Sequence, residues 1–279
     1  MKLTFFILLL VVCLTSCEEI ISIDLPTDDN LVIVEGFITN ELRTQEVRLS
    51  RSQGFNEPSE DTTIPGASVS VFDLSGNVFT FQFDSGVYKS DSLFAGEVGR
   101  RYGLVVVLPE GDTITSPFVT MPEVVPIDLL LFNSFPEESP DDPSVILQIY
   151  FPVVWASDPG NRRNFYRYVF ARNDSLFNTP QDIELLADDA INGNTFPNEF
   201  RTFRYDFGDR MTCELRSINK GAFDFLRLLK NQTTSLGTAS GTSPAGIDSN
   251  LTNDTNPSQV VLGYFGCYSL SRASIVLEP

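Results

Sequence analysis

PGASVSVFDLSGNVFTFQFDSGVY, residues 65–88, is the stretch of the sequence that decides the fold. Apolar residues occupy alternate positions on both sides of Ser75-Gly76-Asn77, a trio that favours a tight turn. Alternation with a period of two is typical of a β-strand with one buried face, and the turn brings two such strands side by side. The stretch therefore predicts a hairpin made of residues 67–74 and 78–83.

The same alternation continues through residues 31–121, with turn residues at intervals of about eight to twelve positions. Strands are predicted at residues 31–39, 45–52, 67–74, 78–83, 87–89, 101–108 and 112–119. Short strands at this spacing are typical of a β-sandwich. We therefore predict an all-β fold whose first unit is a sandwich over residues 31–121.

Two prolines, Pro122 and Pro126, interrupt the pattern and mark the predicted boundary with a second β-rich unit, residues 122–279. Its strands are predicted at residues 127–132, 145–156, 164–172, 201–207, 211–216, 259–268 and 271–277. The acidic stretches 137–142 and 182–189 are predicted to be solvated breaks between strands. Two β-sandwich-like domains joined by a short linker are the expected organisation.

One α-helix is predicted in the second unit, at about residues 218–231. Ala222, Phe225 and Leu229 recur at helical spacing, and Ser217 or Asn219 can cap the first turn. The apolar face would pack on the sheet or, alternatively, bind a partner.

Residues 231–258 follow this helix and are rich in Thr, Ser, Gly and Asn. Such a composition buries little apolar surface. We predict that the segment forms a flexible loop.

The amino terminus reads MKLTFFILLLVVCLTSC, residues 1–17. Lys2 precedes an apolar run of about ten to twelve residues, which is too short for the roughly 20 residues of a membrane-spanning helix and is typical of a signal peptide, here residues 1–16. Leu14, two small residues and Cys17 resemble a bacterial lipobox, in which the cysteine is diacylated and becomes the new amino terminus. We expect a lipid on Cys17; the alternative is an ordinary cleaved signal.

Glu18 and Glu19 follow Cys17 and open an acidic tether, residues 17–30. Acidic residues in this place resemble the export signal with which some Gram-negative bacteria carry lipoproteins to the cell surface. We therefore expect a lipid-anchored outer-membrane protein that faces the cell exterior. The periplasmic leaflet of the same membrane is the alternative.

The charge balance and the absence of histidine exclude several classes of function. A formal net charge of −18 argues against nucleic acid as a partner, because phosphate binding needs clustered Lys and Arg. The chain has no histidine, which excludes Ser-His-Asp and Cys-His catalysis and His-ligated zinc. A glycosidase with two carboxylates needs no histidine, but no acidic pair is singled out by its surroundings. We expect a protein that is not an enzyme and has no catalytic residues.

No metal site or other cofactor is predicted, although acidic loops leave calcium as an open alternative. Candidate oxygen ligands are Asp141-Asp142, Asp158-Pro159-Gly160-Asn161 and Asp188-Asp189. None of these has the alternating spacing of a dedicated calcium loop.

Cys213 and Cys267 are the cysteines that remain after the signal peptide and the lipid anchor are set aside. In an oxidising compartment the pair can form a disulfide if their strands are neighbours with Cα atoms within about 7 Å. The alternative is two buried free thiols.

An aromatic and basic cluster occupies residues 162–168, where Phe165, Tyr166 and Tyr168 stand beside Arg162, Arg163 and Arg167. The cluster suggests either a platform for a sugar or peptide, or one buried strand face with an adjoining edge.

Stretches of residues 32–112, VIVEGFITN, PGASVSVFDLSGN and SGVYKSDSLFAGEVGRRYGLVVVLPEGD, also resemble the immunoglobulin-like or prealbumin-like modules that accompany outer-membrane transporters. The resemblance rests on Gly-Ala-x-Val-x-Val at residues 66–71, Gly-x-Tyr at 86–88 and Gly-x-x-Tyr near 99–104. It implies a fold and not a reaction.

The order of features over nearly the whole chain resembles domain-of-unknown-function family 4249, a family of bacterial outer-membrane lipoproteins. The stretches that carry it are SCEEIISIDLP, LVIVEGFITN, VRLSRS, PGASV, SLFAGEVGRRY, CELRSINKGAFDFLRLL and LGYFGCYSLSR. The resemblance implies a lipoprotein often encoded beside a TonB-dependent transporter, without an established ligand. We therefore expect an accessory partner of such a transporter in nutrient capture or uptake; the alternative is a surface structural or adhesive lipoprotein.

Overall fold

The computed structural model describes residues 30–53, 61–235 and 249–279. The predicted signal peptide, Cys17, Glu18, Glu19 and nearly all of the tether lie outside the described residues. Within them the fold is all-β apart from one α-helix and two short 3-10 turns, which confirms the predicted fold class. None of the described helices is long and apolar enough to cross a membrane.

The strands are numbered in chain order. Residues 30–121 form β1 (Val32–Thr39), β2 (Glu46–Arg51), β3 (Ser68–Asp73), β4 (Val78–Asp84), β5 (Val87–Ser90), β6 (Arg101–Val107), β7 (Thr113–Thr115) and β8 (Val119–Thr120). The remainder forms β9 (Ile127–Glu138), β10 (Ile146–Ser157), β11 (Phe165–Arg172), β12 (Ser175–Leu176), β13 (Glu184–Ala187), β14 (Thr195–Glu199), β15 (Arg210–Ile218), α1 (Lys220–Ser235), β16 (Thr252–Asn253) and β17 (Val261–Val276).

One large sheet runs through both halves of the chain, in the order β12-β11-β15-β17-β1-β2-β5-β4-β3-β6-β7-β16. The hairpin predicted first is its β3–β4 pair, in which Val71 lies opposite Phe79. β1 lies in the interior of this sheet, antiparallel to β2 and parallel to β17. Strands more than 200 residues apart in sequence are therefore direct neighbours.

The first hydrophobic core forms where this sheet curls over on itself. Val34 of β1 and Leu49 of β2 belong to the same buried cluster as Val71 of β3 and Leu104 of β6, and β17 contacts β6. A half-buried strand closes such a core by facing its apolar alternate residues inward. The first unit is thus a sandwich-like body, as predicted.

The predicted division at residue 122 is wrong for the carboxyl-terminal part of the chain. Leu251, Val261, Phe265 and Cys267 belong to the first core, and β16 pairs with β7. The reason is the parallel pairing of β17 with β1, which returns the end of the chain to the first unit. Each sandwich-like half therefore takes part of its core from the same last strand.

β17 is one strand, where the sequence predicts a break between residues 268 and 271. Its first half pairs with β1 and its second half with β15, and Tyr268 takes part in both pairings. Gly263 makes the close approach possible: its φ is +99°, and an added Cβ would lie 2.0 Å from the carbonyl oxygen of Val34. A side chain at this position would push β17 away from β1.

The second core lies between one face of the large sheet and a separate sheet of the order β14-β10-β9. Tyr168 and Phe170 of β11 and Leu215 of β15 meet Val154 of β10 and Phe196 of β14. Phe200 packs on this core as well, with its ring centroid 4.6 Å from that of Tyr168. Two layers with alternating inward residues make this half a sandwich.

The opposite face of the same strands is covered by α1, as the sequence predicts. Ala222 and Leu226 of the helix pack on Phe165, Ile218 and Tyr264 of the sheet. Apolar positions at this spacing form one stripe along a helix.

The start of α1 is fixed by Asn219, one of the two predicted caps. Its Oδ1 accepts hydrogen bonds from the backbone N–H of Ala222, at 2.8 Å, and from the Tyr264 hydroxyl, at 2.9 Å. Gly221 leaves room for that hydroxyl, because a Cβ there would lie 2.4 Å from it. The helix is therefore tied to β17 at its first turn.

The prediction of a strand at residues 201–207 is wrong. This segment is a turn region in which Tyr205 makes an isolated bridge to Tyr150, and the strand is instead β14. The sequence hides β14 because it contains Pro197, which is tolerated there since β14 pairs only with β10 and is an edge strand.

The predicted flexible loop at 231–258 is wrong at both of its described ends. Residues 231–235 continue α1, and residues 252–253 form β16. Asn253 is buried, and its Nδ2 donates to Asp112 Oδ2 and Gln259 Oε1, both at 3.0 Å. Side-chain amide bonds of this kind order a polar segment that buries little apolar surface. Residues 236–248 lie outside the described residues.

Candidate functional site

A cleft of about 300 Å³ lies where the two sandwich-like halves meet. The linker at residues 120–125, the loop at 159–164 and the turn at 217–220 line it. Its basic side chains are each paired with an acid: Arg162 with Glu123 at 2.8 Å, Arg163 with Asp189 at 2.6 Å, and Lys220 with Asp224. The positive charge around this cleft is therefore neutralised locally.

Two polar atoms at the cleft lack hydrogen-bond partners within the described parts of the chain. They are Ser217 Oγ and Asn219 Nδ2, both removed from solvent. Ser217 pairs in register with Ser269 of β17, whose Oγ is likewise unpartnered. The cleft thus combines neutral hydroxyl and amide groups with paired charges.

A second cavity, of about 190 Å³, lies beneath α1. We call it the α1 chamber. Its lining residues come from β1, β11, the segment after β12, α1 and β17: Glu35, Phe37, Arg167, Asn178, Thr179, Pro180, Ile183, Phe225, Leu226, Leu229 and Tyr264. Glu35, Asn178 and Thr179 are exposed, whereas Ile183 and Leu226 are buried, so the former mark the mouth and the latter the floor.

Arg167 is the unusual residue of the α1 chamber. Its Nε is out of contact with solvent and has no hydrogen-bond partner, and among the described residues no carboxylate lies within ion-pair distance of its guanidinium. Burial, together with the neighbouring guanidinium of Arg216, lowers the pKa of Arg167 to about 10. The group stays charged at neutral pH in surroundings that disfavour its charge.

The neighbouring charges are already committed to each other. Glu214 accepts from Arg216 at 2.5 Å and from Arg272 at 2.6 Å, and Arg272 also pairs with Glu41 at 3.0 Å. This network and Arg167 together contain three guanidinium groups and two carboxylates. Among the described residues one positive charge, that of Arg167, is left without a carboxylate partner, in a protein of net charge −18.

An aromatic wall borders the α1 chamber. The ring of Tyr264 lies 6.1 Å from that of Phe37 and 5.5 Å from that of Phe225, centroid to centroid. The chamber therefore presents one cation beside apolar ring surface, a combination that suits an anion with a flat apolar part.

The candidate calcium residues Asp158 and Asp188 lie close together, because both bond to Asn164. Asn164 donates from its backbone N–H to Asp188 Oδ2 at 2.7 Å and from Nδ2 to Asp158 Oδ1 at 3.1 Å. Asp158 also accepts from the Tyr166 hydroxyl and, at 3.0 Å, from the N–H of Gly193. Burial and the nearby Asp158 raise the pKa of Tyr166, so that its hydroxyl remains a donor.

These two carboxylates are therefore occupied by protein donors, and the stretch 182–189 is not the solvated break that the sequence predicts. It contains β13, and Asp188 is 1% exposed. Asp142, the other candidate, accepts from Ser144 on the surface. The described residues contain no group of three side chains able to hold a metal ion.

Of the two alternatives for Cys213 and Cys267, the structure has the two free thiols and not the disulfide. Both thiols are free and buried, Cys213 in the second core and Cys267 in the first. Their strands are neighbours, as the bridge requires, but Cys213 lies opposite Ala273, which is about 20 Å along β17 from Cys267. Burial raises the pKa of both thiols, which makes them poor nucleophiles.

The aromatic cluster at residues 162–168 forms a buried strand face and not an exposed platform. Tyr166 and Tyr168 point into the second core, and Phe165 lies under α1. Arg167 shares the face of Phe165, and this placement beneath the helix is what the sequence does not reveal. The only signal was a basic residue at an alternate position within an otherwise aromatic strand.

The model of the family described as "Domain of unknown function (DUF4249)" matches residues 18–274. The chain belongs to this family. No curated protein matches the chain. Among solved structures, a two fibronectin type-III domain segment from chicken tenascin is similar over 68% of this chain and 90% of that chain, at 13% identity and a TM-score of 0.21.

Proposed function

We propose that this DUF4249 protein is a non-enzymatic, lipid-anchored outer-membrane protein that serves as an accessory partner of a TonB-dependent transporter in nutrient capture. The observation that carries the proposal is the sequence Leu14-Thr15-Ser16-Cys17 directly after a short apolar run. A lipid on Cys17 holds the protein at the membrane, where a transporter is within reach.

The position of β1 supports this arrangement. The tether at residues 17–30 extends at most about 3.3–3.6 Å per residue, or about 45–50 Å in all, before it enters β1. β1 is paired on both sides, with β2 and β17, so the tether leads into an interior strand of the large sheet, and its short length keeps the body near the lipid surface.

Nutrient capture is supported by the two cavities, the cleft between the halves and the α1 chamber. Both are lined by buried polar atoms that have no hydrogen-bond partner among the described residues: Ser217 Oγ and Asn219 Nδ2 in the cleft, and Arg167 Nε in the chamber. Unpaired polar groups in a cavity suit ligand binding, because a ligand can satisfy them.

The test is a purification of the membrane-anchored protein from its own cells in mild detergent, with the co-purified proteins identified by mass spectrometry. A TonB-dependent transporter enriched with the wild type, and lost with Cys17→Ala, is the expected result. Enrichment of adhesive or matrix components in its place would favour a surface structural role. The absence of any transporter contradicts the partnership.

Surface display is tested by adding protease to intact cells. Cleavage of the wild type, reduced in a variant with Glu18→Ala and Glu19→Ala, is expected if these residues form the export signal. Complete protection until lysis places the protein in the periplasmic leaflet and contradicts this part of the proposal.

A further inference from the structure

We propose that the α1 chamber binds a small aromatic monocarboxylic acid, whose carboxylate pairs with the guanidinium of Arg167. The inference concerns the isolated protein and does not depend on the partnership with a transporter. It rests on the charge, the position and the shape of the chamber.

The first step is the charge of Arg167. A guanidinium offers five N–H donors, and its charge is costly to keep away from water unless it is paired. Other acids that are removed from solvent have a guanidinium beside them. Arg100 lies 2.8 Å from Asp73, and Arg216 and Arg272 lie 2.5 and 2.6 Å from Glu214. Arg167 has no such acid among the described residues, so a carboxylate from outside the described chain supplies what it lacks.

The second step is the rigidity of its placement. Tyr166 and Tyr168, the neighbours of Arg167 on β11, are each 1% exposed and fixed in the second core. Arg167 is thereby directed to the opposite face, beneath α1. A planar guanidinium held in this way binds a carboxylate through two parallel hydrogen bonds.

The third step is the shape and composition of the walls. Phe37, Phe225 and Tyr264 all line the chamber and contact one another, so together they offer it an apolar aromatic wall. A volume of about 190 Å³ is below the ~300–1,000 Å³ of pockets for drug-sized ligands, so the ligand is small.

The fourth step is the residue at the mouth. Glu35 is exposed and lines the same chamber. Its negative charge opposes a second anionic group on the ligand, and the overall charge of −18 acts in the same sense. A monocarboxylate therefore suits the chamber better than a dicarboxylate or a phosphate.

The experiment measures binding of phenylacetate and of the neutral phenylacetamide by titration calorimetry. It uses the lipidated full chain, purified in mild detergent. Phenylacetate should bind the wild type at one site, and phenylacetamide should bind at least about 10-fold more weakly. Arg167→Gln should weaken phenylacetate binding on the order of 10- to 100-fold.

Two further variants serve as controls, one for the planar shape of the Arg167 guanidinium and one for the loss of a positive charge elsewhere on the protein. Arg167→Lys keeps the charge but loses the planar fork and should recover only part of the affinity. Arg227→Gln, an exposed position of α1 outside the chamber, makes the same change of charge as Arg167→Gln and should leave binding unchanged.

Each variant is first shown to be folded by a cooperative thermal unfolding transition, which is followed by the fluorescence of the single tryptophan, Trp155. No binding of phenylacetate to the wild type overturns the proposal. So does equal binding of acid and amide, or binding that is unchanged by Arg167→Gln. Because calorimetry uses the isolated protein, a failure here leaves the purification of a transporter complex as a separate result.

Discussion

Asp158 and Arg167 lie on either side of the same strand, β11, and their surroundings are opposite. Asp158 accepts hydrogen bonds from Asn164, from Tyr166 and from the backbone of Gly193. Arg167 contacts no acid within the described chain, and its Nε has no acceptor. One carboxylate is saturated by the protein, and one guanidinium is left without a partner.

This difference in hydrogen bonding indicates that Asp158, and not Arg167, stabilises the fold. A buried carboxylate that accepts several hydrogen bonds fixes the loops that supply the donors. Its removal weakens all of these hydrogen bonds at once. A cation without a partner costs stability in the free protein, and the proposed carboxylate ligand would remove that cost. Stability and binding are therefore assigned to opposite faces of β11.

Asp158→Ala should have the largest effect of the substitutions considered. It removes the acceptor that Asn164, Tyr166 and Gly193 share, and should lower the free energy of unfolding by about 3–5 kcal/mol. At about 2–4 °C per kcal/mol, this corresponds to a fall in Tm of roughly 6–20 °C. The fluorescence of Trp155 during heating measures it.

The matched control is Asp189→Ala, which removes an exposed carboxylate whose one ion-pair partner among the described residues is Arg163. It should change the free energy of unfolding by less than about 1 kcal/mol. Equal effects of the two substitutions would refute a structural role specific to Asp158.

Glu214→Gln should have the second-largest effect, about 2–3 kcal/mol of lost stability, because it leaves Arg216 without a carboxylate and Arg272 with Glu41 alone, beside the unpaired Arg167. Burial alone would raise the pKa of Glu214, but Arg216 and Arg272 outweigh it and the pKa is lowered. A lowered pKa in the folded state means that the stability is present above about pH 4.3 and is lost as the pH falls below it.

Urea unfolding between pH 3 and pH 7 measures this contribution. The wild type should lose stability toward low pH more steeply than Glu214→Gln, since the variant has no carboxylate to protonate at this position. Parallel pH profiles of the two proteins would mean that Glu214 does not hold the arginines in place.

Arg167→Met should act in the opposite direction and stabilise the protein by about 1–2 kcal/mol. Methionine fills similar space among Ile183, Leu226 and Phe225 without a charge to desolvate. Differential scanning calorimetry should record a Tm about 2–8 °C higher than that of the wild type. A lower Tm would show that Arg167 is part of the structural framework, like Asp158.

Tyr166→Phe should have the smallest effect, about 1 kcal/mol of lost stability. It removes one of the donors to Asp158 and leaves the ring in the second core. Equilibrium unfolding in urea, with Tyr150→Phe as a control at a partly exposed position, measures the difference. A loss as large as that of Asp158→Ala would mean that the tyrosine, and not the set of donors, fixes the carboxylate.

Local patterns were sufficient for most strands and for the helix. Alternation around Ser75-Gly76-Asn77 predicted β3 and β4, and Asn219 was predicted as a helix cap. These features depend on neighbours within a few residues, which a sequence displays directly.

The long-range pairings were beyond such patterns. In the parallel pairing of β1 with β17, Val34 lies opposite Gly263, and no sequence pattern within either strand predicts which strand it pairs with. The wrong division at residue 122 follows from this pairing, and the separation of Cys213 from Cys267 follows from the register between β15 and β17. Register is fixed by the packing of whole faces, which appears only when the sheet is assembled.

The candidate site was missed for the same reason. Arg167 stands in the sequence as one basic residue among aromatic ones, and α1, which covers it, begins at Lys220. Whether an arginine on a strand is solvated, paired or enclosed depends on the element that packs above it. Sequence spacing predicts the face that Arg167 occupies but not the absence of an acid beside it.

In the proposed arrangement Arg167 binds a ligand at the expense of stability, whereas Asp158 stabilises the fold. The most direct test is the urea midpoint of unfolding of the wild type and of Arg167→Met, each measured with and without saturating phenylacetate. Without the ligand the variant should unfold at the higher urea concentration. With it the midpoint of the wild type alone should rise, because a ligand that binds the folded state stabilises it. A variant that is less stable than the wild type without ligand, or a ligand that raises both midpoints equally, would contradict the account.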